Sequence, residues 1–547
     1  MKAIHWINTT GGDFSDGADW SGGAVPAAGD KAVIDASGTY TVTMSSSETV
    51  GSLTLNDRGA AVSLGSGATL TVESSLTLEA GRFDLGSGAA ISGGMLRAGK
   101  GKFLWQGGAL DGVTYNGPLN LRHRHSVLSI LTNGLVLRGS DGTGVGVANL
   151  SRDALLDFVG IQTFDNAIVN LNGSNIASGL PGSGAVLTLG AEISINHMGG
   201  LSVVGGDTIF NEGAINANST TVGGGLLINS TKFTNQGSIT ISNRDKLDLS
   251  PSIFTNLASG TLTSGSYEID AGSTLELAKD QTVVTDDAVI VLSGAGSAFQ
   301  SRNDSSQEVS IESTLTTIGA AGTLKLLVGR DWTSTNMITN DGALVLGGGR
   351  FAPGGLTNDG VISGHGVISV AVADTGTIKA VGGTLDLIGA ISGNGALQVN
   401  AGAALKVEAA AAASLTTTFN GVGGNLKLGD AADFAATIAG FAADDTIDVL
   451  GQAATSATLQ SGDKLAVMNG SQTVATLQLS GDYAGAAFAV ASDGHGGSNV
   501  TVSQGAARFA QALASLAPPT AAIDSPVSDA WPPHAPTMLA GPRTMAA

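Results

Sequence analysis

The sequence predicts an all-β chain: a right-handed parallel β-helix or β-solenoid with a small C-terminal β module and a disordered tail. Three observations predict it. Gly supplies 81 of the 547 residues against 12 Pro, and it sits between short apolar pairs instead of in a triplet repeat. Apolar residues recur two apart, the period of a strand with one buried face. The same short units return far down the chain, and units too small to bury a face alone must stack on their own copies.

Residues 1–130 read as an N-terminal cap followed by short-strand repeats. From Lys31 to about Gln106 the apolar pairs are Tyr40/Val42, Leu53/Leu55, Val62/Leu64, Leu70/Val72, Leu76/Leu78 and Phe83/Leu85. Ahead of them, Trp6 and Trp20 lie on a Gly-rich approach, placed to cover the open end of the stack or to stack on sugar rings.

Residues 131–430 read as the solenoid repeats. One unit is Gly, one or two small residues, then Leu-x-Leu or Leu-x-Val, as in Gly272–Leu277, Gly322–Leu326, Gly383–Leu387 and Gly402–Val407. A second unit carries Asn-x-Gly, at Asn211, Asn235, Asn340 and Asn358, with a degenerate copy at Asn256. Spacings of 24, 21 and 18 residues between successive Asn fit one coil per repeat. Asn is expected at the corners, tolerating the left-handed conformation and bonding the Asn of the next coil, while Gly takes the positive φ.

Beyond Asp430 the texture changes. Residues 431–505 read as a compact β module. Residues 506–547 read as a short amphipathic helix (Phe509, Leu513, Leu516) and a disordered Pro-rich tail.

Composition excludes several functions. A formal net charge of -20 repels nucleic acid and anionic headgroups, so neither nucleic acid nor membrane insertion is expected. The absence of Cys excludes disulfides, thiolate metal sites and cysteine nucleophiles. The first residues run from Met1 to Gly12 without an apolar core, so no cleaved signal peptide is expected.

The opening segment, Trp6, Gly11-Gly12, Phe14, Ala18-Asp19-Trp20, Gly23, Pro26 and Gly29-Asp30, resembles the start of bacterial β-strand-repeat surface and secreted proteins. At the other end, Ile438–Val449 with Gly481-Asp482-Tyr483 and Asp493–Gly497 resembles the C-terminal modules of type I secretion substrates. The tandem calcium-binding nonapeptide of the repeats-in-toxin proteins is missing. These resemblances imply an extracellular or cell-surface protein exported by type I secretion machinery. An autotransporter passenger fragment is a further likeness.

Several polar clusters bear on chemistry. Asp444, Asp445 and Asp448 form a carboxylate-rich turn suited to calcium, and they are the candidate metal ligands. Arg122-His123-Arg124-His125 would place two His on one strand face, too few for a zinc site, and reads as solvated surface. Gly142–Gly146 lacks the lysine and helix of a phosphate loop. No Gly-x-Ser-x-Gly elbow is present. Asp245/Asp248 and Asp286/Asp287 are the nearest thing to acid pairs for a polysaccharide lyase or hydrolase of parallel β-helix type. The expectation is therefore a non-catalytic, secreted or surface-held structural and adhesive solenoid that binds extracellular glycan, matrix or itself, with calcium as the one possible cofactor.

Overall fold

A computed structural model describes residues 2–221 and 223–503. The helix and tail expected from residue 506 onward lie outside the described residues. The chain is all-β, 56% strand and 1% helix, wound into a parallel β-solenoid of about 20 turns.

Four residues is the commonest strand length, because turn-forming Gly and Asx residues interrupt the apolar pairs. In most of these strands burial alternates: Leu187 and Leu189 in Val186–Leu189, and Phe233 and Asn235 in Lys232–Asn235, point inward. Successive coils stack in register, so side chains of one kind form columns. Leu226, Leu247, Leu275 and Phe299 follow one another down a single column, each at most 1% exposed. Burial of such side chains contributes roughly 1.5–3 kcal/mol each, and the stack gains it coil by coil.

Two long sheets of 18 and 30 strands run along the stack, with two shorter sheets of five. Between Ile161 and Phe254 each coil places strands in three sheets, including the short one from Ile161–Phe164 to Ile253–Phe254.

The corner Asn residues stack as the sequence suggests. The Asn211 amide donates to the Asn235 carbonyl at 2.8 Å, Asn340 to Asn358 at 2.7 Å, and Asn358 to the Asp374 carboxylate at 2.6 Å. The expected backbone conformation is not what is found. Neither these Asn nor the following Gly213, Gly237, Gly342 and Gly360 adopt positive φ. The glycines are required instead by close approach of the coil below: a Cβ at Gly342 would lie 2.2 Å from the Gly319 carbonyl oxygen, and one at Gly360 2.2 Å from that of Gly342.

Both ends are closed. Trp6 and Trp20 meet edge to face at 5.1 Å and Phe14 packs on Trp20 at 4.8 Å, all three at most 1% exposed. Their indole N–H groups donate to the Asn8 and Phe14 carbonyls. Such buried rings are packing residues and present no face to a sugar. At the other end the parallel stack continues past residue 431 to Thr446–Val449. There the antiparallel strand Ser498–Ser503 covers it, and Ser456–Gln460, Lys464–Asn469 and Gln472–Ser480 form a meander beside it.

One sheet is interrupted. The strand Lys102–Trp105 ends the first five-stranded sheet, pairing only with Arg82–Leu85, and Pro118–Leu121 opens the 30-stranded sheet, pairing only with Gly146–Ser151. The break has local causes. Pro118 has no N–H to offer a preceding strand. Phe83, Phe103, Trp105 and Tyr115 also crowd there, with Phe103 and Trp105 stacked at 5.0 Å.

Candidate functional site: a groove at the sheet break

The interruption leaves a groove across the coils. Its first hollow, about 580 Å³, lies between Lys102–Trp105 and Pro118–Leu121, and an adjoining one of about 210 Å³ reaches His123. A third, about 490 Å³, continues over Ser151, Arg152 and Asn172 to Met198. Arg122 lines all three. At the rim, alternation turns the backbone groups of Phe103 and Trp105 towards the groove, because Lys102 and Gln106 donate their amides to Gly81 and Leu85 on the other side.

A row of outward Asn side chains runs along the same face. Asn149 donates to Asn120 at 3.0 Å, Asn170 to Asn149 at 2.9 Å, Asn196 to Asn170 at 3.3 Å and Asn216 to Asn196 at 2.9 Å. All five are half-buried. Each amide is oriented by its neighbours, so the remaining N–H and carbonyl lone pairs face outward in a fixed order.

The sequence did not single out this row, since loop insertions make its spacing irregular. The available signal was the triplet apolar-Asn-apolar, as in Leu119-Asn120-Leu121 and Val169-Asn170-Leu171. The Arg122–His125 run is an exposed turn and not a strand, with His125 at φ 56. Its two His therefore share no strand face, while Arg122 and His123 both enter the groove.

The acid pairs are split by the period of the strand. Asp286 points inward and is fully buried, whereas Asp287 points outward. Burial drives the Asp286 carboxyl up to about 7, against the pull of the Ala288 amide that donates to it. Asp245 is likewise inside and Asp248 outside. Asp245 receives the His197 imidazole at 2.6 Å and the Ser219 amide at 2.9 Å, while the other His197 nitrogen donates to the Gly200 carbonyl at 2.7 Å. With an acceptor at each nitrogen, His197 carries both protons and is no general base. Burial opposes that charge, yet the bonds to Asp245 and Gly200 outweigh it and hold His197 above the usual imidazole range.

The C-terminal aspartates do three different jobs. Asp444 is exposed at a left-handed turn position with φ 76. Asp445 is buried and accepts the Gly424 and Ala442 amides at 3.0 and 3.1 Å. Asp448 faces Lys427 at 3.8 Å, with Asp493 and His495 also acting on it, and burial raises its carboxyl above the ordinary range. A cation bridging the three would have to draw Asp445 away from its amides. Among the described residues no group of three His, Asp or Glu side chains is placed to hold a metal ion.

Fold and groove together define a parallel β-solenoid with a ligand-sized cleft on one outer face. Scans of protein-family models and of curated proteins find no match to this chain. Among the described residues no helix is long and apolar enough to cross a membrane.

Proposed function

We propose that the protein is a secreted or cell-surface adhesive solenoid, not itself catalytic, that holds an extended glycan in the groove between Lys102 and Met198. The observation that carries this reading is the outward Asn row beside a cleft whose lining contains no Asp or Glu. Ordered amides suit hydroxyl recognition, since each offers a donor and an acceptor to the same sugar. Glycoside hydrolysis instead calls for two carboxyls facing one bond. A glycan fits better than matrix protein or a second copy because the row repeats at the strand spacing, roughly 4.8 Å, and suits a ligand that is itself repetitive. Export by type I machinery belongs to the proposal, supported by the resemblance of Ile438–Val449 to such substrates.

The test is retention of the purified protein on a panel of immobilised microbial and plant polysaccharides, run beside a reducing-end assay. Retention without release of reducing ends is expected. Release of reducing ends from any member of the panel would replace this reading with the lyase or hydrolase, and retention on none of the panel would overturn it.

A further inference from the structure

Resting on the adhesive reading, we infer that the groove selects an anionic polysaccharide, one bearing carboxylate or sulfate groups, through Lys102, Arg122 and Arg152. Acidic residues outnumber Lys and Arg by 45 to 25 in the chain, yet the lining of all three hollows holds these three cations and His123 and no carboxylate. Local charge and overall charge therefore have opposite signs.

The cations are also unpaired. Among the described residues, Lys246, Arg302, Arg330 and Lys406 each sit within ion-pair distance of a carboxylate, whereas Lys102, Arg122 and Arg152 have none. Asp153, next to Arg152, lies 3.7 Å from the His125 ring instead. Arg122 reaches the Asn120 carbonyl at 3.4 Å with one terminal nitrogen, which ties it to the end of the amide row and leaves donors for an anion. Amides for hydroxyls and guanidinium for acid groups thus lie along one track. From Pro118–Leu121 to Ser194–Gly199 that track crosses four strands, roughly 14 Å, which suits an oligosaccharide better than one sugar.

The same features disfavour single-stranded nucleic acid. Base recognition without sequence readout relies on exposed aromatic platforms. Here Trp105 and Tyr115 are only 4% and 3% exposed.

The experiment measures binding of the full chain to polygalacturonate, heparin, neutral dextran and single-stranded DNA at low and high salt. The comparison protein is the triple variant Lys102→Gln, Arg122→Gln, Arg152→Asn. Asn is chosen at Arg152 because that residue has φ 63. Polygalacturonate or heparin should bind, weaken as salt rises, and lose roughly tenfold or more in the variant, a loss equal to one decade of affinity. All three side chains are exposed, so the thermal transition should be unchanged. Dextran bound as tightly, without salt dependence, would overturn the anionic inference and leave the adhesive reading intact. Binding of no glycan would sink both, and tighter binding of DNA would overturn the choice of ligand. Full affinity in the variant would move the site elsewhere. A charge-reversing Arg122→Glu provides the second check, since it should abolish salt-sensitive binding on its own.

Discussion

Asp286 makes stability depend on pH, and its replacement by Asn should remove part of that dependence. The carboxyl is fully buried, one oxygen accepts the Ala288 amide at 2.9 Å, and the other has no hydrogen-bond partner among the described residues. Burial raises it from 3.8 to about 7, with Asp287 adding to the rise. A carboxyl whose folded value lies above its unfolded value binds a proton more tightly when folded. Its contribution is therefore complete below pH 3.8 and falls away as pH rises towards 7. At 1.36 kcal/mol per unit, that span corresponds to roughly 4 kcal/mol between acid and neutral conditions.

Asp286→Asn keeps the oxygen that accepts the Ala288 amide and cannot ionise. Urea unfolding followed by circular dichroism across pH 4 to 8 should show a flatter profile for the variant, which should be the more stable protein at the alkaline end. Because a solenoid can open locally, amide exchange in the strand Thr285–Ser293 and in its neighbour Thr261–Ile269 should show the same reversal. Identical pH slopes for the two proteins would refute the reasoning, because Asp286 would then be ionised in the folded chain at no cost.

Three further outcomes follow from the packing. Gly342→Ala should cost several kcal/mol, because its Cβ would meet two backbone carbonyl oxygens at 2.2 and 2.4 Å, while Gly67→Ala, with positive φ and open space, should cost only about 1–2 kcal/mol; thermal melts separate the two. Asn358→Ala should lower stability by roughly 1–3 kcal/mol in urea titrations, since it removes the side-chain amide that donates to Asp374 and one of the two acceptors of the Asn340 amide in a fully buried column. His197→Gln should destabilise by roughly 3 kcal/mol in acid and less as pH rises, since a raised imidazole contributes fully below its unfolded value and loses that contribution as pH passes its folded one.

The fold was legible because each of its signals is local. Leu385 and Leu387 are both fully buried, as the unit Gly383-Thr384-Leu385-Asp386-Leu387 requires of a strand with one inward face. The same parity, carried back from Ile290 through Ala288, places Asp286 inside and Asp287 outside, so the two cannot act as a pair. The role of the repeat glycines was harder to read, because a positive φ and a carbonyl 2.2 Å from the absent Cβ both call for Gly and leave the same letter in the sequence. The groove was not legible at all, for a different reason. It arises where one coil fails to pair with the next, and nothing in Lys102–Trp105 or Pro118–Leu121 alone states that they will be neighbours without a ladder between them. Once that break exists, Arg122 ceases to be one charge in an exposed run and becomes the residue common to every part of the cleft. Chemistry on a solenoid is thus written across coils, at separations of 29, 21 and 26 residues along the Asn row, and irregular loops between coils hide it from any fixed period.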